Sequence, residues 1–357
     1  MIASRLAAGI GFLFLLALPA RAQIVFAEDF ESGFSNWSLT GLWHAESNAS
    51  SCGAANWPFP SGTACAWYGL SHAGQCDFET NPSPNTGVLT TVAPIVVAPA
   101  PGQVVTVRYR NIIETEGCLP DPVRDQALVQ VSQDGGASWI TVISECRGNQ
   151  PFYDAWHKGR AFITTFATTP LLLRFSFDTI SAALNGGEGW WIDDVQVRLE
   201  PGLPGCDAGD SCPCGNFNSF SQNPEIFTNV NIGGCYHSNN AQAELSALGR
   251  PSIAADDVTL TADTFTGRAV VFYAGAPGEP GGGSPFGSGL GCSIGQRIAI
   301  KAATSGQAQY PEAGDPPLSS FGAVAGQRRG YQVVYRGQFP GCGRLNTTNA
   351  YTIDWRP

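Results

Sequence analysis

Glu114 and Glu116 are the carboxylate pair whose spacing suggests glycoside hydrolysis. A strand puts residues two apart on one face, and that reaction needs two carboxyl groups roughly 5–9 Å apart across a sugar. The four histidines, His44, His72, His157 and His237, are too dispersed for zinc-protease or facial-triad spacing. The sequence contains neither a G-x-S-x-G nucleophile elbow nor a P-loop. Gly287-Ser288-Gly289-Leu290-Gly291 runs straight into Cys292 and reads as a loop, not a nucleotide cradle.

Cysteine chemistry carries more of the sequence. Of the 11 cysteines, Cys206, Cys212, Cys214, Cys235, Cys292 and Cys342 fall in the second half. The C-x-C at 212–214 lacks the C-x2-C geometry of a zinc site, so three disulfides are expected, with the pairing open. In the first half Cys118 and Cys146 follow strands and are expected to pair. One of Cys52, Cys65 and Cys76 is then left as a free, intermolecular or buried inert thiol. Disulfides need an oxidising compartment. Arg5, the apolar run Leu6–Leu18, Pro19 and Ala20-Arg21-Ala22 read as a secretory leader cleaved before Gln23. The run is well short of the roughly 20 residues that span a bilayer, so secretion or periplasmic residence is expected.

The elements that must position these groups read as β almost throughout. Val104–Arg110, Ala127–Ser132, Leu171–Phe177, Trp190–Val197, Val258–Thr261 and Tyr331–Tyr335 are short, mostly alternating and rich in β-branched or aromatic residues. Asn240–Leu248 is the best helix candidate. Charged residues are only 13%, with 43 Gly and 25 Pro, which excludes coiled coils and solvated tails. The net charge of −10, with two lysines, Lys158 and Lys301, argues against nucleic acid. The Pro/Gly-rich stretch 201–205 divides the chain. We expect a leader (1–22), a jelly-roll β-sandwich (23–200), a linker (201–205) and a disulfide-stabilised β-sandwich-like domain (206–357). Residues 23–200 hold 18 acidic and 8 basic side chains and residues 201–357 hold 11 and 9, so the acidity belongs to the first domain. Ser132–Trp139 matches the S-x-D-x-G-x-x-W Asp-box, a hairpin signal read as structural.

The segment Phe26–Trp37, with Gly41–His44, Trp67-Tyr68-Gly69, Gly87–Thr90, Glu114-Thr115-Glu116 and Gly189–Val195, resembles the MAM-like and choice-of-anchor-J-like concanavalin-type jelly rolls. The resemblance covers about residues 26–199. It implies an extracellular module that adheres or recognises, in some cases with a structural Ca²⁺ near the first and last strands. Asp29, Glu31 and Asp194 are the carboxylates placed to hold it, since Ca²⁺ takes several oxygen ligands. The E-x-D-x-x-E pattern of concanavalin-like glucanases is absent. The Cys212-Pro213-Cys214-Gly215-Asn216 opening, Asp256–Leu260 and Pro285-Phe286-Gly287 are similar to a cysteine-framed β module of secreted bacterial proteins with no assigned activity. We therefore expect a non-catalytic protein that presents Trp57, Tyr68 and Trp156 to an extracellular glycan or protein. A polysaccharide hydrolase using Glu114 and Glu116, or an inert envelope or matrix component, are the alternatives.

Overall fold

A computed structural model describes residues 24–47, 52, 58–72, 75–80, 83–115, 124–145, 156–166, 170–207, 211–216, 233–237, 241–263, 269–278, 282–337, 339 and 341–357. The leader, Trp57, Glu116, Cys118 and Cys146 lie outside the described residues.

The first domain contains β1 (Ile24–Glu28), β2 (Trp37–Leu39), β3 (Trp43–Ser47), β4 (Ala64–Tyr68), β5 (Leu70–His72), β6 (Gln75–Asp77), β7 (Thr86–Thr91), β8 (Val104–Glu114), β9 (Gln126–Ser132), β10 (Ile140–Glu145), β11 (His157–Phe162), β12 (Leu172–Asp178) and β13 (Gly189–Glu200). One sheet runs β11-β8-β13-β4-β3, with β1 also on β13, and the other runs β10-β9-β12-β7-β2. Alternation explains the packing. Val105, Val107 and Tyr109 of β8, Val129 and Val131 of β9 and Leu173, Phe175 and Phe177 of β12 all enter one core.

The second domain contains β14 (Gly202–Gly205), β15 (Glu244–Leu248), β16 (Thr259–Asp263), β17 (Ala269–Gly275), β18 (Ser284–Phe286), β19 (Gly289–Gly291), β20 (Gln296–Ala302), β21 (Ala308–Tyr310), β22 (Arg328–Tyr335), β23 (Asn346–Thr347) and β24 (Ala350–Asp354). Its sheets are β14-β24-β22-β17-β20, with β23 on β22, and β15-β16-β21. They enclose a separate core around Leu245, Leu260, Phe272, Val333 and Tyr351. Disulfides join Cys206 to Cys292, Cys212 to Cys235 and Cys214 to Cys342. The protein is thus all-β, a jelly-roll sandwich followed by a disulfide-stabilised β domain.

Two expectations change. The helix expected over Asn240–Leu248 is strand β15 from Glu244 onward, because Glu244, Leu245 and Ala247 are buried in antiparallel pairing with β16. Tertiary pairing overrides the local preference of Ala, Leu and Glu for helix. The expected linker is itself structured: Gly202–Gly205 pairs with β24, so the second domain begins directly after Glu200.

Candidate binding cleft between the domains

The outward face of the β11-β8-β13 strands carries charge where a sandwich usually carries neutral polar residues. Arg108 and Arg110 alternate on β8, Lys158 and Arg160 on β11, and Gln196 and Arg198 on β13. Five of the eight basic side chains of residues 23–200 (all but Arg124, Arg147 and Arg174) thus share one face. The β15–β16 sheet of the second domain covers part of it.

Buried ion pairs fasten the two. Glu200 is completely buried and accepts from Thr106 Oγ1 at 2.8 Å, Arg108 Nε at 2.6 Å and Arg108 Nη2 at 3.2 Å. Tyr351 Oη from the second domain donates at 3.0 Å to Oε2, the oxygen that Arg108 Nη2 also reaches. Glu244 accepts from Arg108 Nη1 and from Lys158 Nζ, the latter at 2.8 Å, while Lys158 also reaches Asp263 at 2.6 Å. Arg160 pairs with Asp207 at 3.3 Å. Burial alone would raise the carboxyls of Glu200 and Glu244, but the surrounding donors together, Arg108 foremost, with Arg198 and Thr106 at Glu200 and Lys158 and Arg160 at Glu244, hold both below the usual carboxylate range.

Beside these pairs the two faces separate into a cleft of about 240 Å³. Arg108, Arg110, Lys158, Gln196 and Arg198 form its floor, and Glu244, Ser246, Thr261, Asp263 and Gln307 its roof, with Asp194 at the rim. Sequence reasoning missed this site. The available signal was the charge at alternate positions of three strands whose other face is apolar.

The predicted calcium carboxylates lie where β13 bulges. The register with β8 shifts between Asp193 and Gln196, and Asp194 takes a left-handed conformation at φ 51°. Glu31 is spent on a neighbouring turn, accepting Thr63 N at 2.7 Å, Ala64 N at 2.6 Å and Thr63 Oγ1 at 3.1 Å. These backbone hydrogen bonds lower its pKa. Gly62 is required there, since a Cβ would stand 2.1 Å from Glu31 Cδ. Asp194 accepts the Ser61 hydroxyl at 2.8 Å. Asp29 is exposed and accepts from Glu31 N at 3.2 Å, within its own turn.

Asp193 stands apart from these. It is completely buried, accepts Asp194 N at 2.7 Å through Oδ1, and has no hydrogen-bond partner on Oδ2. Burial, and then Asp194, push its carboxyl up to about 8. Among the described residues no three His, Cys, Asp or Glu side chains are grouped to hold a metal ion. The expected Asp29–Glu31–Asp194 set is therefore not assembled as a carboxylate cage.

The aromatic expectations also change. Tyr68 faces inward on β4, fully buried, with its ring 4.5 Å from that of Phe177 and its hydroxyl donating to Asn85 Oδ1 at 2.5 Å. It presents nothing to a ligand, because strand parity turns Trp67 outward in its place. Trp67 stacks on Trp191 at 4.4 Å, and Phe59, Trp156 and the Cys52–Cys76 disulfide pack around that pair. Trp156 is half-buried in this cluster. Cys65, the unpaired thiol among the described residues, is buried in this cluster, and burial raises its pKa far above the usual range. Glu114 accepts Glu188 N at 3.3 Å. Asp134 organises the 132–139 turn by accepting from Ser132 Oγ and Ser138 N.

This architecture defines the chain as a two-domain β-sandwich protein with a polar cleft between its domains. No family model and no curated protein matches it, so the MAM-like and choice-of-anchor-J-like resemblance has no family match behind it. Comparison with solved structures gives distant matches only. TmCBM61 in complex with beta-1,4-galactotriose is 17% identical over 48% of this chain and 94% of that one, at a TM-score of 0.31. The CBM22-1 xylan-binding domain of Paenibacillus barcinonensis Xyn10C is 15% identical, covering 50% of this chain and 95% of that one, at 0.30. Caldicellulosiruptor saccharolyticus CBM27-1 in complex with mannohexaose is 15% identical over 48% and 96%, at 0.29. Similarity this distant assigns no ligand and no residue. Among the described residues no helix is long and apolar enough to cross a membrane.

Proposed function

We propose that this is a secreted, non-catalytic recognition protein that binds an extracellular glycan in the interdomain cleft. The observation that carries the reading is the lining of that cleft. Donors of Arg110, Arg198 and Gln196 face acceptors and hydroxyls of Ser246, Thr261 and Gln307, with Leu248 the one aliphatic side chain among them. A hydroxyl-rich ligand matches such a surface, and an apolar one does not. Both walls are strands held by buried ion pairs, so the polar groups are positioned before the ligand arrives. Glu244, kept ionised by Arg108, is unsuited to act as a general acid. Four disulfides among the described residues support an oxidising, extracellular setting.

A structural Ca²⁺ at the β13 bulge belongs to the same reading in narrower form. Asp193 and Asp194 would hold it together with main-chain oxygens, while Glu31, engaged by Thr63 and Ala64, and Asp29, engaged in its own turn, would not take part. The unpartnered oxygen of Asp193 supports this.

The test is a glycan array probed with the full chain, followed by calorimetry on the hits. Saturable binding is expected, weakened about tenfold by a Ser246→Ala, Gln307→Ala double substitution that removes neutral hydrogen bonds. Absence of any saturable glycan, or binding indifferent to both substitutions, would overturn the assignment.

A further inference from the structure

The cations of the cleft do not all find partners. Arg108 is taken by Glu200 and Glu244, Lys158 by Glu244 and Asp263, and Arg160 by Asp207. Arg110 stands 3.9 Å from Asp263, at the outer limit of an ion pair. For Arg198 the described residues place no carboxylate within ion-pair distance. Its Nε donates to Gln196 Oε1 at 2.6 Å, and the guanidinium lines the cleft. Burial, and then the neighbouring charge of Arg108, push it below its ordinary pKa. Glu200, Glu244 and Asp263 act on it only from beyond ion-pair distance, and a half-buried cation beside a second cation, with no carboxylate in contact, is an arrangement that an incoming anion relieves.

The carboxylates of the cleft do not fill that role. Glu244 is engaged by Arg108 and Lys158, and Asp194 by the Ser61 hydroxyl. Asp263 is held by Lys158, and the other polar side chains of the roof, Ser246, Thr261 and Gln307, are neutral. Resting on the reading of the cleft as a glycan site, we infer that its ligand is an acidic saccharide, a uronate residue whose carboxylate Arg198 receives with Arg110 beside it. A guanidinium presents paired N–H groups in the plane of a carboxylate, which a lysine cannot do. The sugar hydroxyls then meet the roof. At about 240 Å³ the cleft is smaller than the roughly 300–1,000 Å³ of drug-sized sites, so it suits one sugar residue or a chain end over a polymer laid along it.

Calorimetry on the full chain tests this with galacturonate, glucuronate and short oligogalacturonides against galactose, glucose and sodium sulfate. Uronates are expected to bind at least about tenfold more tightly than the neutral sugars, with affinity falling as salt rises. Arg198→Gln is expected to erase that preference while the melting temperature is retained. Should Arg198→Gln disturb domain docking, Gln307→Glu serves instead, since it adds a negative charge to the roof and leaves the floor intact; the lost amide should weaken neutral sugars, and the added charge should weaken uronates by a larger factor. Equal binding of acidic and neutral sugars, unchanged in both variants, would overturn the acidic specificity and leave glycan recognition standing. Sulfate competing as well as uronate would reduce the site to an anion site and overturn the saccharide assignment. No saccharide binding at all would overturn both.

Discussion

Asp193 sits where β13 changes the face it buries. Trp190 and Ile192 enter the core at an interval of two, and the next core residues are Val195, Val197 and Leu199. The extra residue is absorbed by the left-handed Asp194, and the bulge carries the Asp193 carboxylate inside without a counter-charge. A cation bound there would stabilise the fold in proportion to its occupancy. At a Ca²⁺ concentration about 100 times its Kd the gain is about 2.7 kcal/mol, read as a higher melting temperature that EDTA reverses. Asp193→Asn should abolish that response. A melting temperature indifferent to Ca²⁺ and EDTA in the unmodified protein would remove calcium from the account. The Asp193-Asp194 pair and the break in apolar parity were both legible in the sequence. What was not legible is which acid the bulge buries, because that depends on the strands on either side. Asp29, chosen for its place near the first strand, serves its own turn.

At the level of elements, the docking of β15 on the β8–β11 face depends on Glu200 and Glu244 being ionised. Both have folded-state pKa values below their unfolded ones, so their contribution is fully present above the unfolded value of about 4.3 and is lost as pH falls through the folded value. The urea midpoint should therefore drop as the pH falls below about 5. Glu200→Gln should flatten that limb and, by leaving Arg108 short of a partner, cost about 3–5 kcal/mol at neutral pH. An unchanged acid limb in that variant would show that other carboxylates set it. The strands of this interface were partly readable: 104–110 and 258–261 alternate, 190–197 does so on either side of the Asp193-Asp194 break, and 157–162 carries no such signal. The 244–248 segment was not, since Glu-Leu-Ser-Ala-Leu suits a helix until β16 is beside it. The cleft itself joins residues 108–110 and 196–198 to 244–263 and 307. No local pattern encodes a juxtaposition across so much chain.

For the whole molecule, the ten excess negative charges of residues 23–200 do not decide how the domains meet. Three cations of one sheet face, Arg108, Lys158 and Arg160, do, through Glu244, Asp263 and Asp207. The outer strands close both domains at one place. Ile24 of β1 lies opposite Arg198, and Ile353 of β24 lies opposite Gly202. Mechanically, tension on the flanking chain meets β1–β13 and β14–β24 in unzipping geometry, where ladder hydrogen bonds break in succession. Peeling from the β24 side ends at Cys342, because the bond to Cys214 closes a span of 128 positions and passes the load directly across it. The polypeptide between those cysteines is shielded from force. Single-molecule stretching in reducing buffer should release a hidden length of roughly 450 Å that the oxidised protein withholds, at about 3.5 Å per residue. A protein anchored in a sheared extracellular surface would lose its outermost strands long before the disulfide-closed body of its second domain felt the pull.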